Sequence, residues 1–153
     1  MNVIIMSGVS GSGKSTVANT LGMESPGSFK VVSADNFFML NGEYVFRAGL
    51  IGHAHADCFR EFVYAMQDKV KTVIVDNTNT TEAEIAPYVL GAAAFDYACE
   101  IHSILVVGDV DLQKCVVRNA HKVPAGSIIA QQDRMLKRRL PRYWKHYEMV
   151  AKF

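Results

Sequence analysis

The sequence contains few cysteines and no long apolar runs. These two features limit the cellular location and the class of protein to be expected. The three cysteines, Cys58, Cys99 and Cys115, form no Cys-x-x-Cys pair. Free thiols in a reducing compartment are therefore expected, and the predicted location is cytoplasmic. No apolar stretch approaches the ~20 residues of a membrane-spanning helix, so no membrane association is expected. The apolar run at residues 3–6 is too short for a secretory signal and has no basic residues before it.

Internal repeats, low-complexity segments and breaks in composition are also missing. Half of the residues are hydrophobic and 20% are charged, which excludes a disordered or fibrous chain and is typical of a globular protein. The length of 153 residues predicts one domain, residues 1–153. No structural metal is expected, because His53 and His55 stand two residues apart on a predicted helix and do not face together.

The charge is nearly balanced overall but unevenly placed. Residues 134–153 contain seven Lys or Arg and one acidic residue. Residues 1–133 contain nine Lys or Arg and fourteen acidic residues. The local charges are therefore +6 and −5, which sum to the total of +1. A basic end on an acidic body favours an anionic partner. The alternative is a solvated helix face that binds no partner.

Short β-branched runs alternate with amphipathic stretches along the chain. The apolar runs predict strands at residues 2–7, 30–34, 72–76 and 100–107. Helical spacing predicts helices at residues 14–21, 53–70, 111–119 and 124–138. Thr81 and Glu84 form a capping box that starts one more helix. Residues 143–153 fit either a helix or a fifth strand at residues 148–153.

This alternation predicts an α/β fold, a three-layer sandwich with a mostly parallel sheet of four or five strands and helices on both faces. Ligands of such sheets bind beyond the carboxyl ends of the strands. Four residues with suitable chemistry stand at those predicted ends: Gly8, Asp35, Asp76 and Asp109.

The segment from Gly8 to Ser15 matches the phosphate-binding pattern G-x-x-x-x-G-K-[ST] between a predicted strand and a predicted helix. Glycines let backbone N–H groups converge on phosphates, and the helix N-terminus adds its dipole. Lys14 is expected to reach the β- and γ-phosphates and the Ser15 hydroxyl to ligate Mg²⁺. ATP and Mg²⁺ are therefore the predicted cofactors. The residues predicted to bind the nucleotide here are Gly8, Ser10, Gly11, Ser12, Gly13, Lys14, Ser15 and, near the α-phosphate, Thr16.

Two aspartates complete the predicted site. Asp76 ends an apolar run, the position of a Walker-B-type carboxylate, and is expected to hold Mg²⁺ together with Ser15. Asp35 ends the second predicted strand and is expected to orient a hydroxyl nucleophile and accept its proton. The alternatives are a helix cap or turn residue for Asp76 and an Asx turn for Asp35.

Taken in order along the chain, these motifs resemble the polynucleotide 5′-hydroxyl kinase family. The resemblance covers roughly residues 1–138 and is carried by the phosphate-binding segment, Asp35, Asp76-Asn77-Thr78-Asn79 and Arg118-Asn119…Val123-Pro124. The chain is most similar to a branch of AAA-type P-loop kinases with the sequences Asp-x-Phe-Phe and Asn-Gly-Glu-Tyr. Those sequences stand here at residues 35–38 and 41–44.

The resemblance implies a P-loop kinase fold with a helical lid at about residues 111–138 and ATP-dependent phosphorylation of a polynucleotide or oligonucleotide 5′-hydroxyl. A nucleic-acid 5′ end is then the expected partner. The resemblance also implies that Asp35 is the general base, that Lys14 binds phosphate, and that Arg118 and Arg134 are lid arginines that clamp the phosphates. The alternative for Arg118 is a surface ion pair.

Two departures from the family pattern keep other functions open. Phe38 stands three residues after Asp35, where phage members carry a basic residue, and a further lid arginine is replaced by a short gap with His121 and Lys122. Both departures argue against a nucleic-acid end as the acceptor and leave the kinase interpretation intact. The small size of the chain and the absence of a basic residue at position 38 favour a small-molecule kinase with a nucleoside, sugar or nucleotide-sugar acceptor. A non-catalytic NTP-binding module is the third hypothesis, and the intact Asp35 argues against it. Four aromatic residues either stack on a base or fill space beneath a loop: Phe37, Phe38, Tyr44 and Phe46.

Overall fold

The structure is a computed structural model that describes residues 1–153. The strands are β1 (Asn2–Gly8), β2 (Phe29–Val32), β3 (Met39–Leu40), β4 (Glu43–Tyr44), β5 (Thr72–Asp76), β6 (Ala98–Leu105) and β7 (Lys145–Val150). The helices are α1 (Lys14–Glu24), α2 (Ile51–Gln67), α3 (Glu82–Ala94), α4 (Gly108–Arg118) and α5 (Ala125–Lys137). Two 3₁₀ turns cover Ala34–Phe38 and Ala48–Leu50. Helices α4 and α5 occupy the range predicted for the lid.

Five strands form the main sheet in the order β2-β5-β1-β6-β7, and every neighbouring pair is parallel. The α/β prediction is therefore confirmed, and the sheet has the larger of the two strand numbers expected. The chain winds to one side of β1 and then to the other, so the order reverses beside β1. Ligands of open parallel sheets bind at such a reversal, beyond the carboxyl ends of the strands.

Alternate residues of the central strand face opposite layers. Val3 and Ile5 belong to the core that includes Phe62 of α2. Ile4 and Met6 belong to the core on the other face, which includes Ile128 of α5. A fully buried large apolar side chain stabilises a fold by about 1.5–3 kcal/mol. The central strand is therefore apolar throughout because both of its faces are covered.

The start of α3 follows the predicted capping box. The Thr81 hydroxyl accepts a hydrogen bond from the Glu84 N–H at 3.3 Å, and the Glu84 carboxylate accepts one from the Thr81 N–H at 3.0 Å. The helix continues through Pro87 without interruption. This cap fixes the segment between β5 and α3, which lies beside the phosphate-binding loop.

Two boundaries differ from the predictions in ways that affect the site. Strand β2 ends at Val32, so Asp35 lies in the following 3₁₀ turn instead of ending the strand. The last strand begins at Lys145, earlier than the predicted residues 148–153, because it pairs with β6 from Glu100 onward. It is an edge strand with largely exposed side chains, and its apolar pattern is correspondingly weak.

The basic residues of the segment 134–153 are not all available to an anionic partner, because Arg138 is engaged within the fold. Its guanidinium donates to the Ser7 hydroxyl at 2.5 Å, the Ser103 hydroxyl at 2.5 Å and the Asn79 carbonyl at 3.0 Å. These groups belong to β1, β6 and the segment after β5. Arg138 therefore connects three parts of the fold and is not free to track an anionic partner. Lys145 likewise pairs with Glu100 at 3.0 Å.

The three cysteines are free thiols, as predicted. None of the helices combines the length and the apolar composition needed to cross a bilayer.

Arg138→Gln is expected to lower the free energy of unfolding by about 1.5–3 kcal/mol, the range for hydrogen bonds to charged groups. The change removes donors to both serine hydroxyls and to the Asn79 carbonyl. Urea unfolding of the wild type and the variant measures the difference. The matched control is Arg142→Gln, whose side chain is exposed and whose effect should stay within about 0.5 kcal/mol. Equal stability of the two variants would contradict the structural role of Arg138.

Candidate active site

The loop between β1 and α1 is built on glycines that no other residue replaces easily. Gly11 and Gly13 have φ angles of +81° and +94°, a region that glycine adopts without steric cost. A Cβ atom on Gly11 would also overlap the carbonyl of Cys115 in α4. The loop therefore packs directly against α4.

The loop presents unsatisfied polar groups to its concave side. Gly13 precedes α1 without a side-chain cap, and the buried Ser12 hydroxyl has no hydrogen-bond partner. Lys14 is only 8% exposed, and its Nζ donates to the Val9 carbonyl at 2.9 Å. Burial lowers the pKa of the Lys14 ammonium, while Asp76 and Asp35 act in the opposite direction. An orphaned hydroxyl, a buried cation and free helix N–H groups fit a polyphosphate.

A polar cleft of about 230 Å³ opens over this loop. Asp35, Asp76 and the Arg118-to-His121 segment form its other walls. The lining residues from the loop and α1 are Ser10, Gly11, Gly13, Lys14, Ser15 and Thr16. The fold therefore brings most of the predicted nucleotide-binding residues to one cleft, and we refer to it as the phosphate cleft.

Asp76 lies at the carboxyl end of β5, paired in register with Met6 of β1. Burial raises the pKa of the Asp76 carboxyl, while the Ser15 hydroxyl and the Lys14 ammonium act in the opposite direction. A hydroxyl and a carboxylate are the oxygen donors that Mg²⁺ takes together with phosphates and water. The residues present therefore fit the ion, and the assignment of Ser15 and Asp76 as its ligands stays a prediction. No group of three or more His, Cys, Asp or Glu side chains is arranged to hold a metal ion.

Asp35 is held by side chains from two other segments. The Tyr44 hydroxyl donates to Oδ1 at 2.9 Å, and His121 Nε2 lies 3.5 Å from Oδ2. Burial and the neighbouring carboxylate raise the pKa of Tyr44, so the phenol stays protonated and donates. The Asp35 N–H is bound by the Ser33 hydroxyl. The carboxylate thus contacts other side chains instead of forming the Asx turn that was the alternative.

Asn77 connects the Asp35 turn to the main sheet. Its side-chain oxygen accepts a hydrogen bond from the Ala34 N–H at 2.9 Å, and its Nδ2 points to the Tyr88 hydroxyl at 3.3 Å and to Cys58 Sγ at 3.4 Å. Asn77 is 7% exposed. The amide therefore fixes where Asp35 stands relative to Asp76.

A second cavity of about 400 Å³ adjoins the phosphate cleft. Its walls include the aromatic side chains of Phe38, Tyr44 and Phe46, and Asp35 lines both cavities. Phe38 is buried, whereas Phe46 is half exposed. We refer to this space as the acceptor pocket, because it offers apolar contact area next to the phosphate cleft.

The two predicted lid arginines occupy different places. Arg118 lines the phosphate cleft. Its guanidinium contacts the end of the chain outside the cleft, donating to the Lys152 carbonyl at 3.2 Å and lying 5.3 Å from the Phe153 ring centroid. Arg134 lines neither cavity, and its Nε donates to the Thr80 hydroxyl at 2.9 Å. The structure therefore brings Arg118 to the cleft and does not bring Arg134 there.

Sequence reasoning missed the side chains that support the site from a distance. The hydrogen bond from Tyr44 to Asp35 was not foreseen, although Tyr44 stands in the Asn-Gly-Glu-Tyr motif. Gln131 of α5 accepts a hydrogen bond from the Ser10 N–H at 2.8 Å, across 121 positions of sequence. No local pattern marks Gln131, because the contact depends on how α5 packs.

Asp76→Asn is expected to raise the melting temperature of the free protein at about pH 7 and to weaken Mg²⁺-dependent nucleotide binding. Burial raises the pKa of Asp76 above the ordinary 3.8. The stability contribution of such a carboxyl is complete below the unfolded pKa and is lost as the pH rises through the folded pKa. The gain of the variant over the wild type should therefore shrink as the pH falls toward about 4.

Thermal unfolding across this pH range checks the prediction, and Asp68→Asn, an exposed position after α2, is the control. A lower melting temperature of Asp76→Asn at neutral pH would show that pairing with Lys14 outweighs the desolvation of the carboxylate.

Comparison with known proteins places the chain among P-loop kinases. NEDD4-binding protein 2 from Homo sapiens is 37% identical over 87 residues, which cover 57% of this chain and 5% of that protein. The chain thus spans a small part of the length of this relative.

Two solved structures share the fold at low sequence identity. A sugar kinase from Janibacter sp. HTCC2649 superposes with a TM-score of 0.64 and 18% identity over 99% of this chain and 86% of that one. A chain of the Pnkp1/Rnl/Hen1 RNA repair complex superposes with a TM-score of 0.65 and 17% identity over 88% of this chain and 44% of that one. Identities this low show the fold alone. Residues 3–141 match the family model described as an AAA domain, and the chain therefore belongs to this family, AAA_33, whose members are P-loop kinases.

Proposed function

We propose that the protein transfers the γ-phosphoryl group of ATP to a hydroxyl, and that this hydroxyl is the 5′-hydroxyl of a polynucleotide or oligonucleotide. One observation carries the proposal. Asp35 lies between the phosphate cleft and the acceptor pocket and lines both. A carboxylate at such a boundary contacts an acceptor hydroxyl while that hydroxyl faces the phosphate donor, as phosphoryl transfer requires.

The roles of the side chains follow from their positions. The loop N–H groups and the Lys14 ammonium bind the phosphates, and Ser15 and Asp76 would hold Mg²⁺. When bound, Mg²⁺ neutralises charge on the phosphate oxygens. Asp35 orients the acceptor hydroxyl and takes its proton late, because the transition state of phosphoryl transfer is loose. Arg118, on the rim of the phosphate cleft, would neutralise charge that develops on the leaving nucleotide.

The lining of the acceptor pocket favours a nucleotide-like acceptor. Tyr44 and the half-exposed Phe46 supply flat apolar area above the buried Phe38, and stacking of a base on an aromatic side chain is worth about 1–3 kcal/mol. Lys122 also lines the pocket, and its ammonium would neutralise a backbone phosphate. A chain of an RNA repair complex has the same fold, so the fold is compatible with such an acceptor.

A small-molecule kinase is the second candidate, and the size of the pocket favours it. About 400 Å³ lies in the range of ordinary small-ligand sites, and Arg138 is not free to bind additional backbone phosphates. The sugar kinase of similar fold supports this candidate.

Incubation with γ-labelled ATP, Mg²⁺ and a panel of 5′-hydroxyl RNA and DNA oligonucleotides, nucleosides and sugars distinguishes the candidates. A nucleic-acid acceptor predicts label on the oligonucleotides and an acceptor KM that rises steeply with salt, because phosphate contacts release counterions. Label on nucleosides or sugars alone would reject the nucleic-acid acceptor. ATP binding without transfer to any acceptor would favour the non-catalytic module.

Asp35→Asn is expected to lower kcat by about 10²–10⁴-fold, the usual contribution of a positioned general base. Asparagine retains the shape and an acceptor for the Tyr44 hydroxyl but cannot take a proton. The Kd for ATP should stay the same or fall slightly, because the change removes a negative charge from the wall of the phosphate cleft and takes no phosphate contact away. Steady-state kinetics and a binding titration measure both quantities.

The matched control is Asp68→Asn, at an exposed position that lines neither cavity, which should retain the wild-type rate. A rate of Asp35→Asn within a few-fold of the wild type would contradict the general-base assignment.

A further inference from the structure

His121 occupies a place in the site that no role described above explains. It lies between α4 and α5 and lines both the phosphate cleft and the acceptor pocket. Its ring centroid is 4.2 Å from that of Tyr44 at a tilt of 42°, and its side chain is 39% exposed. An imidazole ring therefore stands beside the carboxylate proposed as the base.

The loop that carries His121 is held in a defined shape. The Asn119 side chain donates from Nδ2 to the Val123 carbonyl at 2.8 Å and accepts at Oδ1 from the Val123 N–H at 3.0 Å. These two bonds span His121 and close the loop around it. The position of His121 is thus fixed by the backbone and does not depend on contact with Asp35.

The helix after the loop is docked on the body of the protein. Gln132 donates a hydrogen bond to the Val106 carbonyl at 2.9 Å, and this bond does not depend on what the Ser10 N–H binds. Ile128 is fully buried in the adjoining core. The His121 loop therefore has fixed ends, and its imidazole is held over the boundary between the two cavities.

The contacts of Asp35 indicate which of its oxygens faces the reaction. Oδ1 accepts the Tyr44 hydroxyl, whereas Oδ2 has His121 Nε2 at 3.5 Å. That distance is too long for a strong hydrogen bond, so the imidazole N–H is not committed to Asp35. An acceptor hydroxyl that binds Oδ2 would come next to Nε2, and so would the phosphoryl group that it attacks.

We propose that His121 is a catalytic residue, whose Nε2–H donates a hydrogen bond to the phosphoryl group while that group moves from ATP to the acceptor hydroxyl. The inference rests on the proposed phosphotransfer. The acceptor oxygen forms a bond to the γ-phosphorus, its proton passes to Asp35 Oδ2, and the bond to the bridging oxygen breaks with its electron pair left on ADP. His121 keeps its proton throughout and neutralises charge on a non-bridging oxygen.

A structural role for His121 predicts different behaviour. The ring packs on Tyr44, which holds Asp35, and loss of that packing would act through the carboxylate. His121→Phe keeps a ring on Tyr44 and removes the donor, whereas His121→Gln removes the ring and keeps an N–H donor near the position of Nε2. The two variants therefore separate hydrogen-bond donation from packing.

We expect His121→Phe to lower kcat by about 10²–10³-fold, the loss typical of one donor to a transition-state oxygen, with the KM for ATP little changed. His121→Gln should retain at least about tenfold more activity than His121→Phe, since a neutral donor remains. The controls are His53→Phe and His53→Gln, at an exposed position that lines neither cavity. Higher activity of the phenylalanine variant than of the glutamine variant would overturn the proposal in favour of packing.

A binding measurement tests His121 without an acceptor. A complex of Mg²⁺, ADP and aluminium fluoride mimics the phosphoryl group in transit, and its Kd is compared with that of Mg²⁺-ADP. His121→Phe should weaken the analogue at least about tenfold more than it weakens ADP, because the donor contacts only the transferred group. An equal effect on both ligands would overturn the proposal. If the wild-type protein binds the analogue but phosphorylates no acceptor, the proposed function fails, and this comparison still decides the role of His121.

Discussion

The candidate site depends on a single hydrogen bond that continues the sheet after its strands have ended. Strands β2 and β5 pair as far as Val32 and Val75, and beyond these residues the two chains separate. The Asn77 side chain bridges the gap by accepting the Ala34 N–H. This buried contact holds Asp35 beside the phosphate cleft. Without it the Asp35 turn would keep its packing on α2, the hydrogen bond from Tyr44 and the contact with His121.

Without a ligand, the site contains buried charged and polar groups whose interactions are incomplete. Lys14 and Asp76 are both desolvated. Burial lowers the pKa of Lys14 and raises the pKa of Asp76, so it favours the neutral form of each, even though the two charges attract each other. The Ser12 hydroxyl has no partner. Such groups disfavour the empty folded state, and a polyphosphate with its cation satisfies them together. The cleft is thus an arrangement that the rest of the fold holds in place for a charged ligand.

The sequence predicted what local pattern and strand order determine. The apolar strands, the phosphate-binding loop, the Thr81 cap and the place of Asp76 at the carboxyl end of β5 follow from periodicity and from parallel topology. Asp35 reaches the same side of the sheet from a turn that Asn77 holds. The structure differs from the sequence-based predictions where long-range packing determines the partner of a side chain. Arg138 looked like one basic residue among several, and only the approach of β1 and β6 makes it a structural donor. Arg134 and Gln131 lie three residues apart on α5, yet Gln131 reaches the loop and Arg134 turns to Thr80.

The hydrogen bond between the Ser10 N–H and Gln131 also affects how a phosphate binds in the cleft. One N–H serves one strong acceptor at a time, so a phosphate oxygen that takes this donor displaces the Gln131 side chain. A nucleotide that binds in this way would exchange one hydrogen bond for another at Ser10. The net affinity for the nucleotide would then come from its other contacts. The same exchange releases one of the ties that dock α5. Phosphate binding at the Ser10 N–H and attachment of α5 through Gln131 would therefore oppose each other thermodynamically.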